Sequence, residues 1–422
     1  MAIRDPLTLT EDQRALRDTV RDLLADQLPS AALRGVLDTD PGYSPELHAR
    51  LAGELGLTGL TVPGESGGLG LGPAEACVVH TELGRVLYPG PLLASRLAAG
   101  ALLAAGDRRA AGDGGAAGYW LPLLAAGSVT GTIAAADKDG RWSSGLGPVR
   151  AHLTHRGWRL YGRCWYVIAA HVAGVVVVSA LAGSVPAMFL VEAGAPGLRS
   201  SPQPGLDQTR RVSVTAFEAT PAILLSQGED AAAALDRVER DFLLATAAEA
   251  VGGIGWCLDA TVVYAEDRER PVGSFREVAH VCVDMLAAFQ AAEAAVRYAA
   301  VAAADGAAAA PNAVRSAALQ AGQAYREVTE AAIRLFGGMG SARKHDTRLY
   351  YHRAWSAERL SGGPQAQRAA LAAAARNAAV RGAGPDARRP PRLPDPRHPA
   401  DGARPGQAIR PAQPGAPGPV SG

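Results

Sequence analysis

Across residues 129–222 the chain changes its hydrophobic period, and that change constrains the fold more than any motif does. On both sides of this block apolar residues recur every three or four positions among many alanines, the spacing of a helix face. Inside it, TGTIAAA, RAHLTH, WRLYGRCWYVI, GVVVVSAL, AMFLVEA and RVSVTAF are short β-branched or aromatic runs with turns between them. A helix face repeats about every 3.6 residues and a strand face every two, so one segment does not serve both. The expected fold class is therefore mainly α with a β middle domain: an N-terminal helical domain over 1–128, an antiparallel β domain over 129–228 and a C-terminal helical bundle over 229–380. The bundle reads as three long pieces, about 230–266, 274–304 and 310–336, since helices so long and apolar pack on one another.

Residues 381–422 break with this pattern. Eleven prolines, and seven arginines against three aspartates, leave almost no large apolar side chain, so this tail is expected to be disordered. With 422 residues and a net charge of +1, the chain exceeds one ordinary core and offers no electrostatic reason to bind nucleic acid or an anionic membrane. Its four cysteines, Cys77, Cys164, Cys257 and Cys282, are widely spaced and form no CxxC, so neither a disulfide framework nor a metal site is expected. The start, MAIRDPLTLTEDQ, lacks a signal-peptide core, and no run of 18 apolar residues appears. The expectation is a soluble cytoplasmic protein.

Thr10 and Gln13 fit a capping box, with Leu16, Val20, Leu23 and Leu24 on one face of the helix that follows. Further helices are predicted over Ser44 to about Gly56 and Ala74 to Leu87, and within 91–128. GESGGLGLG at 64–72 lies between helices, without the preceding strand that a dinucleotide-binding turn needs. In the first long helix after the sheet, Leu235, Val238, Phe242, Thr246, Glu249 and Gly253 share a face, so Glu249 reads as a paired or subunit-contact carboxylate rather than a base. Met285 and Phe289, four apart, read as core.

The densest polar chemistry lies in LFGGMGSARKHDTRLYYHR at 335–353, read with YAEDRERPVGSF at 264–275. Glycines 337, 338 and 340 either cap a helix ahead of a charged loop or open the backbone to a phosphate or ring. GGMG followed by KHDTRLYYHRA resembles the last domain of the acyl-CoA dehydrogenases. Five more segments match that family in order: VPGESGGLGLGP at 62–73, TELGRVLYPGPLLAS at 81–95, GRCWYVIAAHVAG at 162–174, LDQTRRVSVTAFEATPAILL at 206–225 and AAEAVGGIGWCLDATVVYAEDR at 247–268.

The resemblance implies an acyl-CoA dehydrogenase-like fold with a four-helix last domain, FAD between the sheet and the bundle, and a neighbouring subunit closing over its pyrophosphate. It implies α,β-dehydrogenation of an acyl-CoA or other acyl thioester, which needs a carboxylate base and a flavin as hydride acceptor. Arg268 takes the place of the arginine that meets the neighbour's FAD, and Gly337 and Gly338 that of the glycine pair; on spacing alone Arg268 equally fits a solvated helix end. Arg334 stands where the family has Gln. Trp165, Tyr166, Val167 and Ile168 occupy one strand along the flavin ring, and Ala134 to Asp137, with Ala136, another; Trp165 and Tyr166 equally fit ordinary sheet core.

This sequence departs from the family where function is made. The turn after Arg268 is three residues shorter, and Asp137-Lys138 replaces Glu-Pro. The two positions from which family members draw the base hold Ser361 and Phe242. Neither accepts a proton unaided, and Asp241, about 100° round the helix from Phe242, is the candidate displaced base, with Glu239 and Glu358 nearby. Two expectations follow: an FAD-dependent dehydrogenase with an unusual base, as a homo-oligomer, or a non-catalytic subunit of a hetero-oligomer whose carboxylate-bearing homologue holds the base.

Overall fold

Thr10 begins the first helix as its neighbours predict: its Oγ1 accepts from the Gln13 amide at 3.2 Å, and the Gln13 side chain accepts from the Thr10 amide at 3.1 Å. In the computed structural model the described residues are 8–106, 115–142, 147–266, 272–337, 340, 345–360 and 362–382. Arg268, Gly338, Ser361 and the tail beyond 382 lie outside them. The chain divides at Ala374–Ala375, and the architecture below is that of the part up to Ala374.

The N-terminal helices are α1 (Glu11–Gln27), α2 (Ser30–Leu37), α3 (Pro45–Ala49), α4 (Pro73–Arg85), α5 (Leu92–Gly106) and α6 (Ala116–Ala125). Helix α3 runs on as one π-turn over Arg50–Glu54. Helix α2 is absent from the periodicity reading. Eight residues without a side-chain cap carry little local signal, and burial of Leu33 and Leu37 holds it in place.

The sheet contains β1 (Gly131–Ala134), β2 (Val149–Thr154), β3 (Gly157–Ile168), β4 (Val175–Ala182), β5 (Val185–Glu192), β6 (Leu198–Pro202) and β7 (Val212–Gln227). Pairing runs β4–β2–β3–β7–β5 and returns from β5 to β4, so these five strands close on themselves, with β1 beside β4 and β6 beside β7. Most pairs are antiparallel, as predicted; β4 pairs in parallel with β1 and β2. Val149, Leu160, Cys164, Val167, Phe189 and Phe217 fill the interior. Strand β6, LRSSP, was not expected: with no buried residue of its own, it exists by pairing with β7.

Helices α7 (Glu229–Glu266), α8 (Val272–Ala304), α9 (Ala310–Phe336), α10 (Thr347–Leu360) and α11 (Gly363–Gly382) follow. The first three agree closely with the pieces read from the sequence. Helices α7 and α8 are each long and apolar enough to cross a membrane by composition, but the apolar stretch of α7 is mostly buried within the fold, which makes it a core helix. The apolar stretch of α8 is mostly exposed.

The α4–α7 crossing is unusually close. A Cβ on Gly252 would run into the Thr81 carbonyl, and one on Gly84 into the Glu249 carbonyl, so each helix supplies the glycine that lets the other's backbone approach. Gly252→Ala is expected to force the helices apart and to cost at least about 1–3 kcal/mol, the usual range for overpacking. The urea unfolding midpoint of the variant against the parent checks this.

Candidate functional site

Where α4 meets α7 a carboxylate is buried among cations. Glu249, 8% exposed, accepts from Arg210 in the turn before β7, from Arg353 Nη1 on α10 at 3.5 Å, and faces His80 Nδ1 on α4 at 3.2 Å. Arg96 Nε on α5 donates to His80 Nε2 at 3.0 Å, so the ring proton sits on Nδ1 and points at Glu249. Arg353 also holds Asp207 at 3.0 Å and the Thr209 carbonyl at 2.8 Å, while Ser356 donates to Asp207 at 2.6 Å. Burial would raise the Glu249 carboxyl, but Arg210, the His80 hydrogen bond and Arg353 outweigh it and hold the carboxyl at about 2. Burial pushes His80 down, so it stays neutral. A carboxylate so acidified is a structural anion and a poor proton acceptor, in keeping with its sequence reading as a paired group.

The strands named for the flavin lie at the seam between the closed sheet, α5 and α7. Val167 points into the sheet's interior, whereas Tyr166 and Ile168 pack on the cluster that includes Phe242. At a bulge between Cys164 and Val167 the backbone donors find partners: Trp165 N–H donates to the Ala136 carbonyl at 3.1 Å and Tyr166 N–H to Gln203 Oε1 at 3.2 Å. Asp137 caps its own turn, its Oδ1 accepting from Asp139 N–H at 2.8 Å and Arg141 N–H at 3.0 Å. This turn brings Trp142 opposite Ala136 and lays its ring on Phe242, with centroids 5.1 Å apart and planes 10° from parallel. Phe242 is 1% exposed.

Asp241, one residue away, faces elsewhere. It lines a cavity of about 110 Å³ between α4, α5 and α7 together with Arg96, Arg237 and Cys77. Burial raises its carboxyl above the ordinary range while Arg96 pulls it down. Each of the neighbouring carboxylates has an arginine: Arg315 donates to Glu239 at 2.9 Å and Arg326 to Glu358 at 3.3 Å.

At the far end of α9, Gly337 has a φ of +61°, and its N–H returns to the Arg334 and Ile333 carbonyls. The helix-cap reading of this glycine therefore holds. Arg334 and Gly337 are both exposed, and a Cβ at Gly337 would meet open space. Tyr166, Ala136 and Asp137 cluster around the sheet seam, where the Trp165 N–H meets the Ala136 carbonyl.

The family models for the acyl-CoA dehydrogenase N-terminal and C-terminal domains match residues 10–128 and 241–375. The chain belongs to the acyl-CoA dehydrogenase family. A relative, the acyl-CoA dehydrogenase IpdE2 of Mycobacterium tuberculosis, is 31% identical over 363 residues, covering 85% of this chain and 96% of its own. Among solved structures, the Tcur3481–Tcur3483 steroid acyl-CoA dehydrogenase superposes with a TM-score of 0.77 at 28% identity, covering 88% of this chain and 100% of its own. The ChsE4–ChsE5 complex from Mycobacterium tuberculosis does so with a TM-score of 0.76 at 26% identity, covering 88% and 98%. Membership of the family, its fold and oxidoreductase ancestry thus agree with the motif reading.

Trp142 and the Glu249 cluster were not singled out as a site from the sequence. Asp207, Thr209 and Arg210 lie within a matched segment, but their meeting with Glu249 and Arg353 spans 39 to 146 residues of chain. Trp142 sits in GRWSS, where no period assigns it a partner.

Removing the Glu249 charge leaves Arg210 and Arg353 buried without it. Glu249→Gln is expected to cost about 3–5 kcal/mol at neutral pH, the range for breaking a buried pair. Because the folded value of about 2 lies below the ordinary value of 4.5, the stabilisation is complete above 4.5 and is lost as pH falls toward 2. The gap in urea midpoint between parent and variant should be full at pH 7, narrow below pH 4.5 and close toward pH 2; a gap that does not change with pH contradicts the assignment.

Proposed function

We propose that this chain is the non-catalytic member of a hetero-oligomeric acyl-CoA dehydrogenase. In this reading a carboxylate-bearing homologue dehydrogenates the acyl thioester, and the present chain completes the cofactor site of that homologue. One observation carries it: Phe242, at a position from which family members draw the base, is sealed beneath Trp142. Proton abstraction next to a thioester carbonyl needs a group with a lone pair within hydrogen-bond reach of that carbon. Phe has none, Asp241 faces another cavity, and Glu239 and Glu358 are tied to arginines.

FAD supplies the hydride acceptor in this chemistry. What this chain brings to it, by family correspondence, is Arg268 and the Gly337–Gly338 pair, with Arg334 beside them. An always-charged guanidinium suits a pyrophosphate, and exposed Arg334 and Gly337 are open to a group held by another subunit. A second surface supports assembly. Val283, Leu286, Ala287, Ala294 and Tyr298 lie exposed along one side of α8 with Gln290 among them, while Met285, Ala292, Val296 and Ala299 are buried on the other. An apolar helix face left in water favours a protein partner. The two similar structures named above each carry two chain names, which agrees with an unlike partner. The four cysteines are unpaired, three of them buried, which suits a reducing cytoplasm.

The single chain is expected to show no bleaching of added FAD by acyl-CoAs, and neither Phe242→Glu nor Ser361→Glu should restore it without the partner. Co-expressed with a carboxylate-bearing homologue, the chain should co-purify with it and raise FAD retention. Arg268→Ala should then lower that retention at least about tenfold, roughly 1.4 kcal/mol. Turnover of an acyl-CoA by the purified single chain would sink the reading in favour of a self-sufficient dehydrogenase.

A further inference from the structure

The sheet seam that family correspondence names as the flavin bed does not fit a flavin in this chain. Its amides at Trp165 and Tyr166 are engaged by Ala136 and Gln203, and the Asp137 carboxylate is spent on its own turn. The space over position 242, where a thioester would have to lie, is filled by an indole stacked at 5.1 Å. Placing any flat group between two parallel rings requires them to stand about 7 Å apart, two contacts of roughly 3.5 Å. The existing stack leaves no room.

The turn that delivers Trp142 is held from the opposite side as well. Gly140 adopts a φ of +78°, and a Cβ there would run into the Arg359 carbonyl at the end of α10. A Cβ on Gly362 would come within 3.2 Å of the Arg141 side chain, so the hairpin also abuts the turn between α10 and α11. Trp142, Phe242, Tyr166, Ile168 and Leu360 belong to one apolar cluster. The hairpin is thus braced by the sheet through Ala136, by α7 through Phe242 and by α10 through Arg359.

We propose that the hairpin 136–142 is a built-in plug: Trp142, pinned between Phe242 and the end of α10, closes this chain's own flavin and thioester seat. The plug rests on the subunit reading for the position of that seat and deepens it. Any FAD in the assembly then belongs to the seat of the unlike chain, and the contacts of this chain with it come from the exposed end of α9.

Riboflavin is the probe for the seat itself, because it carries the ring without the pyrophosphate and adenosine that a neighbour would hold. Equilibrium dialysis of the full chain against riboflavin is expected to show no saturable binding. Trp142→Ala combined with Phe242→Ala, if circular dichroism shows it folded, should bind at least about tenfold more tightly than the parent. Saturable binding near one riboflavin per wild-type chain, or no gain in the folded double variant, overturns the plug.

Should the double variant not fold, the flavin content of the wild-type pair decides: one FAD per two unlike chains supports the plug, and two overturn it. An active pair with two FAD would remove the plug and leave the subunit reading. Exclusion of riboflavin by a chain that no carboxylate-bearing homologue activates would remove the subunit reading and leave the plug.

Discussion

Glu249 joins the helical and β parts of this protein at one point. It lies on α7, yet its oxygens meet His80 from α4, Arg210 from the approach to β7 and Arg353 from α10. An unpaired carboxylate is expensive to bury, so the arrangement persists only while all of these elements are in place. Gly84 and Gly252 make the meeting possible, because without a Cβ on either the α4 and α7 backbones come into contact. Asp207 extends the cluster by holding Arg353 and Ser356, and Tyr350 ties α10 to the end of α4 through the Arg85 carbonyl at 2.6 Å.

Beyond that centre, two regions have opposite character. Toward the sheet seam, the surfaces that family correspondence assigns to the flavin and the thioester are filled by this chain's own side chains: Trp142 on Phe242, Asp137 on its turn, and Gln203 on the β3 backbone. Toward the end of α9 and along the outer side of α8, groups are left open. Side chains stack and pair at the seam, whereas Arg334 and Gly337 at the end of α9 are exposed.

The long helices were legible because thirty or so residues of Ala-rich 3.6 periodicity leave little ambiguity. The capping box at Thr10, the strands rich in valine and aromatics, and Glu249 standing alone in an apolar stripe were legible for equally local reasons. Helix α2 and strand β6 were not, since neither has a local signal strong enough to stand without its neighbours. The parallel pairing of β1 and β2 with β4 also escaped, because period two is the same whichever way a neighbouring strand runs.

The departures at 242 and 361 were visible as letters, and with them the question of which group could act as base. Their consequence was not. Whether Asp241 substitutes depends on which cavity a side chain about 100° round a helix faces, and whether Trp142 covers Phe242 depends on a hairpin braced by an α10 carbonyl more than two hundred residues away. Family, layer order and the presence of Phe and Ser rather than a carboxylate at 242 and 361 were determined by the sequence alone, since each rests on local composition, period or ordered motifs. The Glu249 centre and the closure over Phe242 were decided by tertiary structure, because both consist of contacts between residues that only packing brings together.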